Sequence, residues 1–118
     1  MIADGKTTMI QCVFKGEQLY EVTKAMEQLG VVGMTIWEVK GHGRQKGHIE
    51  HYRGLETKVN LLPKLMVEIV VPDADVEEVV EALLGAARTG QIGDGKIFLI
   101  PVGDVIRVRT GERGLEAI

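Results

Sequence analysis

The sequence predicts an α+β fold: a ferredoxin-like βαββαβ sandwich with one antiparallel sheet and both helices on a single face. Three observations predict it. Strand-like and helix-like periods alternate in that order along the chain; one long interruption falls between the second and third strands; and 118 residues with 45% apolar content suit one domain spanning residues 1–118.

Residues 1–8 (MIADGKTT) form a short segment ahead of the first strand and lack the apolar stretch of a secretory signal. Residues 8–14 (TMIQCVF) read as the first strand. From Glu17 to Leu29, the residues Leu19, Val22, Met26 and Leu29 recur at helical spacing, and Gly30 closes the helix. Val31 to Val39 is β-branched and aromatic, and Leu65, Val67, Ile69 and Val71 alternate along a partner strand that ends at Pro72.

Between those strands, residues 41–58 form a connection far longer than the ~2–5 residues of an ordinary hairpin, with no apolar period of its own. A mobile functional loop is the expectation. Asp73 or Asp75 is placed to cap a second helix, with Glu77 and Glu78 in its first turn and Val76, Val79, Val80, Leu83, Leu84 and Ala87 as its buried stripe. Ile97 to Val102 reads as the fourth strand. Val105 to Arg109 reads as a short fifth, so that residues 107–118 become a C-terminal strand and tail.

Met9, Cys12, Met34, Ile36, Val39, Met66 and Val70 leave neither sheet face polar, so a homo-oligomer covering the helix-free face is expected. Fourteen basic residues against 17 acidic ones give a net charge of -3, which offers no steering toward nucleic acid. No apolar run approaches the ~20 residues of a membrane span, so direct membrane insertion is not expected. The single cysteine, Cys12, sits in an apolar strand and suits a reducing cytoplasm.

The turn at residues 88–96 contains Thr89-Gly90-Gln91-Ile92-Gly93-Asp94-Gly95-Lys96, a set of open backbone amides beside an ammonium that suits a polyphosphate. Gly90 to Lys96 formally matches G-x-x-x-x-G-K. Ile97, however, replaces the hydroxyl that would hold magnesium, and the flanks run helix then strand, the reverse of a P-loop; an NTP-hydrolysing enzyme is therefore not expected. Arg107 and Arg109, alternating on the expected fifth strand, add positive charge that a nucleotide phosphate would neutralise.

The stretch 40–54 carries Lys40, Arg44, Lys46 and Arg53 against the single acid Glu50, together with all three histidines, His42, His48 and His51. Their spacing matches no standard zinc motif, and a metal-binding or metal-responsive trimer using them stands as the alternative reading. No Ser/His/Asp or Cys/His set points to nucleophilic catalysis.

Four stretches, GHGRQKGHIEHYRG, LPKLMVEIVVPD, ARTGQIGDGKIF and VIRVRTGER with the ending EAI, together resemble the PII nitrogen-regulatory signal-transduction family. The resemblance implies a homotrimer of ferredoxin-like subunits with ATP or ADP in the clefts between them. It implies phosphate contacts from Gly93, the Asp94 backbone, Gly95, Lys96, Arg107 and Arg109. Gly33, Thr35, Glu68, Ile69 and Val70 would surround adenine and ribose, and Gly41, Gly43 and Arg44 would lead from that pocket into the T-loop.

By the same resemblance, 2-oxoglutarate would join a magnesium ion held by the ATP phosphates and Gln45, with Lys46, Gly47 and Lys64 completing its site. The T-loop residues Glu50, His51, Tyr52, Arg53, Gly54 and Leu55 would meet a target protein, by default an ammonium transporter or a nitrogen-metabolism enzyme. Thr57 stands where many members carry a uridylylated tyrosine and Leu55 where some carry a phosphorylated serine, so control by ligands alone is implied. His42 and the segment Lys15-Gly16-Glu17 depart from the family pattern beside the effector site.

Overall fold

The computed structural model describes residues 6–31, 33–42, 49–52, 55–58 and 61–118, with the backbone alone described at 49–52 and 55–58. Strand β1 (Thr7–Phe14) leads through a 3₁₀ turn into helix α1 (Leu19–Gln28), which is followed by β2 (Met34–His42). A short hairpin of β3 (Ile49–Tyr52) and β4 (Leu55–Lys58) precedes β5 (Leu61–Pro72), helix α2 (Val76–Ala87) and β6 (Lys96–Val102). The main sheet runs β2-β5-β1-β6, every neighbouring pair antiparallel. This is the expected ferredoxin-like arrangement.

Strand alternation sorts the side chains onto two faces. Ile10, Cys12 and Phe14 of β1 and Val67, Ile69 and Val71 of β5 point toward the helices. There they form one buried core with Val22 and Met26 of α1 and Val76, Val79, Leu83 and Ala87 of α2. The opposite face carries no helix among the described residues, and it leaves Trp37 at 50% and Phe98 at 48% exposure.

Several boundaries differ from expectation. β2 begins at Met34 rather than Val31, because Gly30 adopts φ 80° and the Val31 amide donates back to the Met26 carbonyl, extending the end of α1. β5 begins at Leu61, four residues early, and contains Pro63. Pro63 lies where β5 has only one strand neighbour, since β1 pairs with β5 only from Leu65 onward while β2 pairs with it there.

Neither Asp73 nor Asp75 caps α2 with its side chain. Asp73 accepts the Thr8 hydroxyl at 2.6 Å instead, tying the start of β1 to the entry of α2. The long connection also has structure of its own: Glu50 pairs with Thr57 and Tyr52 with Leu55 in the β3–β4 hairpin. Two residues between strands, the second a glycine, is a hairpin signal that carries no apolar period.

The expected fifth strand is absent. Ile106 makes only an isolated bridge to Arg113, and residues 107–112 form a tight turn in which the Gly111 amide donates to the Arg107 carbonyl at 2.7 Å. Residues 107–118 are therefore a turn followed by a 3₁₀ helix, Gly114–Ala117.

Candidate functional site

The turn after α2 is organised by one carboxylate. Asp94 accepts the amides of Thr89 at 2.8 Å and Gly90 at 2.9 Å, takes the Thr89 hydroxyl, and faces the Lys15 ammonium at 3.4 Å. The hydrogen bond from the Thr89 hydroxyl is the largest cause that holds the Asp94 carboxyl well below its usual range, against the opposing effect of burial. A hydrogen-bonded carboxylate thus closes the loop, and the amides of Thr89 and Gly90 are spent inside it. Gly95 lets the chain enter β6: its φ is 110°, and a Cβ there would lie 1.7 Å from the Val13 carbonyl oxygen.

This turn walls a cavity of about 630 Å³ lined also by Gly41, His42, Leu62, Lys64 and Lys96. Lys64, on the helix-free face of β5, donates its ammonium to the Gly93 carbonyl. Burial first, and then the neighbouring Lys15, lower the Lys64 pKa. Gly41 presses on this lysine, since a Cβ there would sit 3.3 Å from Lys64 Cγ. Lys15, Lys64 and Lys96 converge near Asp94, an arrangement that favours an anion with several negative oxygens.

A second cavity, about 550 Å³, lies at the other end of the sheet and includes Gly33, Thr35, Glu68, Val70 and Arg107 in its lining. Glu68 accepts Gln11 Nε2 at 2.6 Å and Trp37 Nε1 at 2.8 Å, which fixes its carboxylate. Arg107 donates from Nη1 to Glu112 at 3.0 Å and from Nη2 to the Ile118 carbonyl at 3.2 Å. The two cavities use different stretches of the same strands. Gly41 and Thr35 are six residues apart on β2, about 20 Å at the usual rise per residue.

The expected nucleotide residues thus divide into two groups. Gly41, Gly93, Asp94, Gly95 and Lys96 meet at one cavity, with Lys64, and Gly33, Thr35, Glu68, Val70 and Arg107 at the other. The Ile69 side chain, at 1% exposure, belongs to the core, because strand alternation turns it toward the helices while Glu68 and Val70 face away. Arg109 is corrected as a strand partner of Arg107. The fifth strand is replaced by a turn, and Arg109 is exposed outside the cavity that Arg107 lines.

Gly43, Arg44, Gln45, Lys46, Gly47, Arg53 and Gly54 lie outside the described residues, as do the side chains of Glu50, His51, Tyr52 and Leu55. His48 also lies outside them, and among the described residues no three potential ligands cluster as a metal site. The contacts of Gln11, Trp37 and Glu112, and the meeting of Lys15 with Thr89, carry no signal in the sequence. Lys15 and Thr89 are separated by 74 positions, and no local spacing announces that contact.

The family profile described as Nitrogen regulatory protein P-II matches residues 7–112. The chain is 53% identical over 109 residues to the Nitrogen regulatory protein P-II of Rhizobium meliloti, covering 92% of this chain and 97% of that protein. The protein of the same name from Azospirillum brasilense is 51% identical with the same coverage. Among solved structures, Arabidopsis thaliana PII bound to citrate superimposes with a TM-score of 0.80 at 38% identity, covering 98% of this chain and 94% of that one. No helix among the described residues is long and apolar enough to cross a membrane. With the profile spanning most of the chain and both relatives covered almost end to end, the chain belongs to the nitrogen regulatory protein P-II family.

Proposed function

We propose that the protein is a non-enzymatic, homotrimeric signal protein that binds ATP or ADP between neighbouring copies and reports that state through the connection at residues 41–58. The single observation that carries the reading is the division of the candidate nucleotide residues. One half-site holds the braced turn and three lysines, the other holds Glu68, Thr35 and Arg107, and the two lie at opposite ends of one partly apolar, helix-free face. Copies packed through that face around a threefold axis bring the first half of one subunit to the second half of the next, which completes a site that neither subunit holds alone.

In this reading the phosphates lie on Gly93, Gly95 and Lys96 and are clamped by Arg107, with the sugar and base toward Glu68, Thr35 and Val70. Lys64 then answers a dicarboxylate such as 2-oxoglutarate. Magnesium would arrive with the nucleotide and supply a shared ligand for both effectors, with Gln45 as the protein donor. Because both effectors meet the same metal, each must tighten the other's binding by an equal factor. The hairpin residues Glu50 to Leu55 carry the message to a target, with an ammonium transporter or a nitrogen-metabolism enzyme as the expected class. Regulation runs through ligands, without modification at Thr57, in the cytoplasm.

Calorimetry with ATP and magnesium, with and without 2-oxoglutarate, combined with light scattering, tests the proposal. The expected result is a trimer whose ATP affinity rises with 2-oxoglutarate. A monomer, or a chain that binds no nucleotide, sinks it.

A further inference from the structure

We propose that Arg107 is held by an internal latch, formed by Glu112 and the segment Gly114–Ile118, which a nucleotide must displace before Arg107 can bind its phosphate; this rests on the nucleotide reading of the site.

The latch follows from local folding. The Arg107 amide donates to the Glu112 carbonyl at 2.9 Å, and the Gly111 amide returns to the Arg107 carbonyl, so the chain doubles back on itself. That turn swings the Glu112 carboxylate onto Arg107 Nη1 at 3.0 Å, and the Thr110 hydroxyl fixes the same carboxylate oxygen at 2.8 Å. The following 3₁₀ helix is anchored by Arg113 on Asp104 at 2.9 Å and by the Gly114 amide on Val105 at 3.0 Å. It delivers Ala117 and Ile118 into the lining of the cavity that Thr35 and Glu68 also line. The Ile118 carbonyl accepts from Arg107 Nη2 at 3.2 Å.

A carboxylate oxygen and a carbonyl oxygen thus sit on two terminal nitrogens of one guanidinium, the donors through which arginine grips a phosphate. The internal acceptors imitate the ligand. Their hold is weak by construction: the Arg107 and Glu112 side chains keep 35% and 40% of their surface in water, where an ion pair gains little. A polyphosphate, carrying more charge and held also by the lysine-rich half-site, can replace them. Such a latch sets a threshold for nucleotide binding and couples it to release of the last residues from the cavity.

The test is calorimetric titration of ATP, with magnesium, into the unaltered chain, Glu112→Gln, and a chain ending at Arg113, together with amide hydrogen exchange of residues 114–118. Glu112→Gln removes the charge from one acceptor and the shortened chain removes the other acceptor, so a folding defect in one variant leaves the other to decide. Both are expected to bind ATP more tightly, by about fivefold, the scale of one exposed ion pair. ATP is also expected to speed exchange at residues 114–118 in the unaltered chain. If that chain binds ATP and neither variant gains affinity, the latch is overturned and the nucleotide reading stands. If neither it nor the variants bind ATP, both readings fall; binding only in the variants supports the latch.

Discussion

Trp37 on β2 donates its indole N–H to Glu68 on β5 at 2.8 Å, two residues along from the residue directly opposite it, Met66. The bond crosses the helix-free face and fixes a carboxylate at the edge of the second cavity. It also pins the only tryptophan of the chain, half exposed, to the surface proposed to lie between copies.

Trp37 is therefore an intrinsic reporter of assembly. Its emission is expected to shift to the red as the protein is diluted below its association range, in step with sedimentation. An emission maximum unchanged across dissociation would place the interface elsewhere. Trp37→Phe keeps a ring but loses the donor to Glu68, at a cost of about 1–2 kcal/mol in denaturant unfolding.

Gly95→Ala tests the entry to β6. The new methyl would meet the Val13 carbonyl oxygen at 1.7 Å in a backbone conformation with φ of 110°, so either the turn or the β1–β6 pairing must give way. A loss of about 2–5 kcal/mol is expected from strain and overlap together. A stability within experimental error of the parent would show that the turn relaxes freely.

Asp94 gives the turn a pH dependence with a definite sign. Its folded pKa is depressed, chiefly by the Thr89 hydroxyl, so its stabilisation is present above the ordinary carboxylate value of 3.8 and is lost as pH falls through the lower folded value. Asp94→Asn keeps the shape but loses one acceptor oxygen and the charge. Its denaturation midpoint is expected below the parent's near neutral pH, with the gap closing in strong acid; a gap independent of pH would assign the effect to shape alone.

Cys12 has the opposite sign. Burial at 2% exposure pushes its thiol up to about 11 from 9.0, so the folded chain keeps the proton that the unfolded chain begins to lose near pH 9. Stability is expected to fall by ~2–3 kcal/mol between those values. Cys12→Ala should lack that part of the alkaline loss. Alkylation of the native thiol should be slow near pH 8 and fast in denaturant.

The order of elements was legible because each buried face repeats its period locally: Val22 and Met26 on α1, Val79 and Leu83 on α2, and Val67, Ile69 and Val71 on β5. The braced turn was legible in outline from its glycines and Lys96. The role of Asp94 as brace was not, because it depends on Thr89 and Lys15 converging from separate elements. The C-terminal error has a similar origin. Ile106 and Val108 alternate like a strand, yet the turn closed by Arg107 and Gly111, with Glu112 folded back on the arginine, competes successfully against pairing. The inward turn of the Ile69 side chain follows from strand alternation, since adjacent strand residues face opposite sides.

Lys64 separates a brace from an effector ligand. Its ammonium now serves the Gly93 carbonyl, and burial together with Lys15 disfavours its charge, so an arriving carboxylate would relieve a charged group that is poorly compensated. Lys64→Ala is expected to weaken 2-oxoglutarate binding in the presence of ATP and magnesium by tenfold or more, about the worth of one charge-assisted contact. ATP alone should lose no more than about threefold, because Gly93, Gly95 and Lys96 remain to take the phosphates. Calorimetry of both ligands decides the role. Equal losses for the two would mean that Lys64 supports the turn itself, since a collapsed turn fails every ligand alike, whereas a selective loss requires direct contact with the second effector.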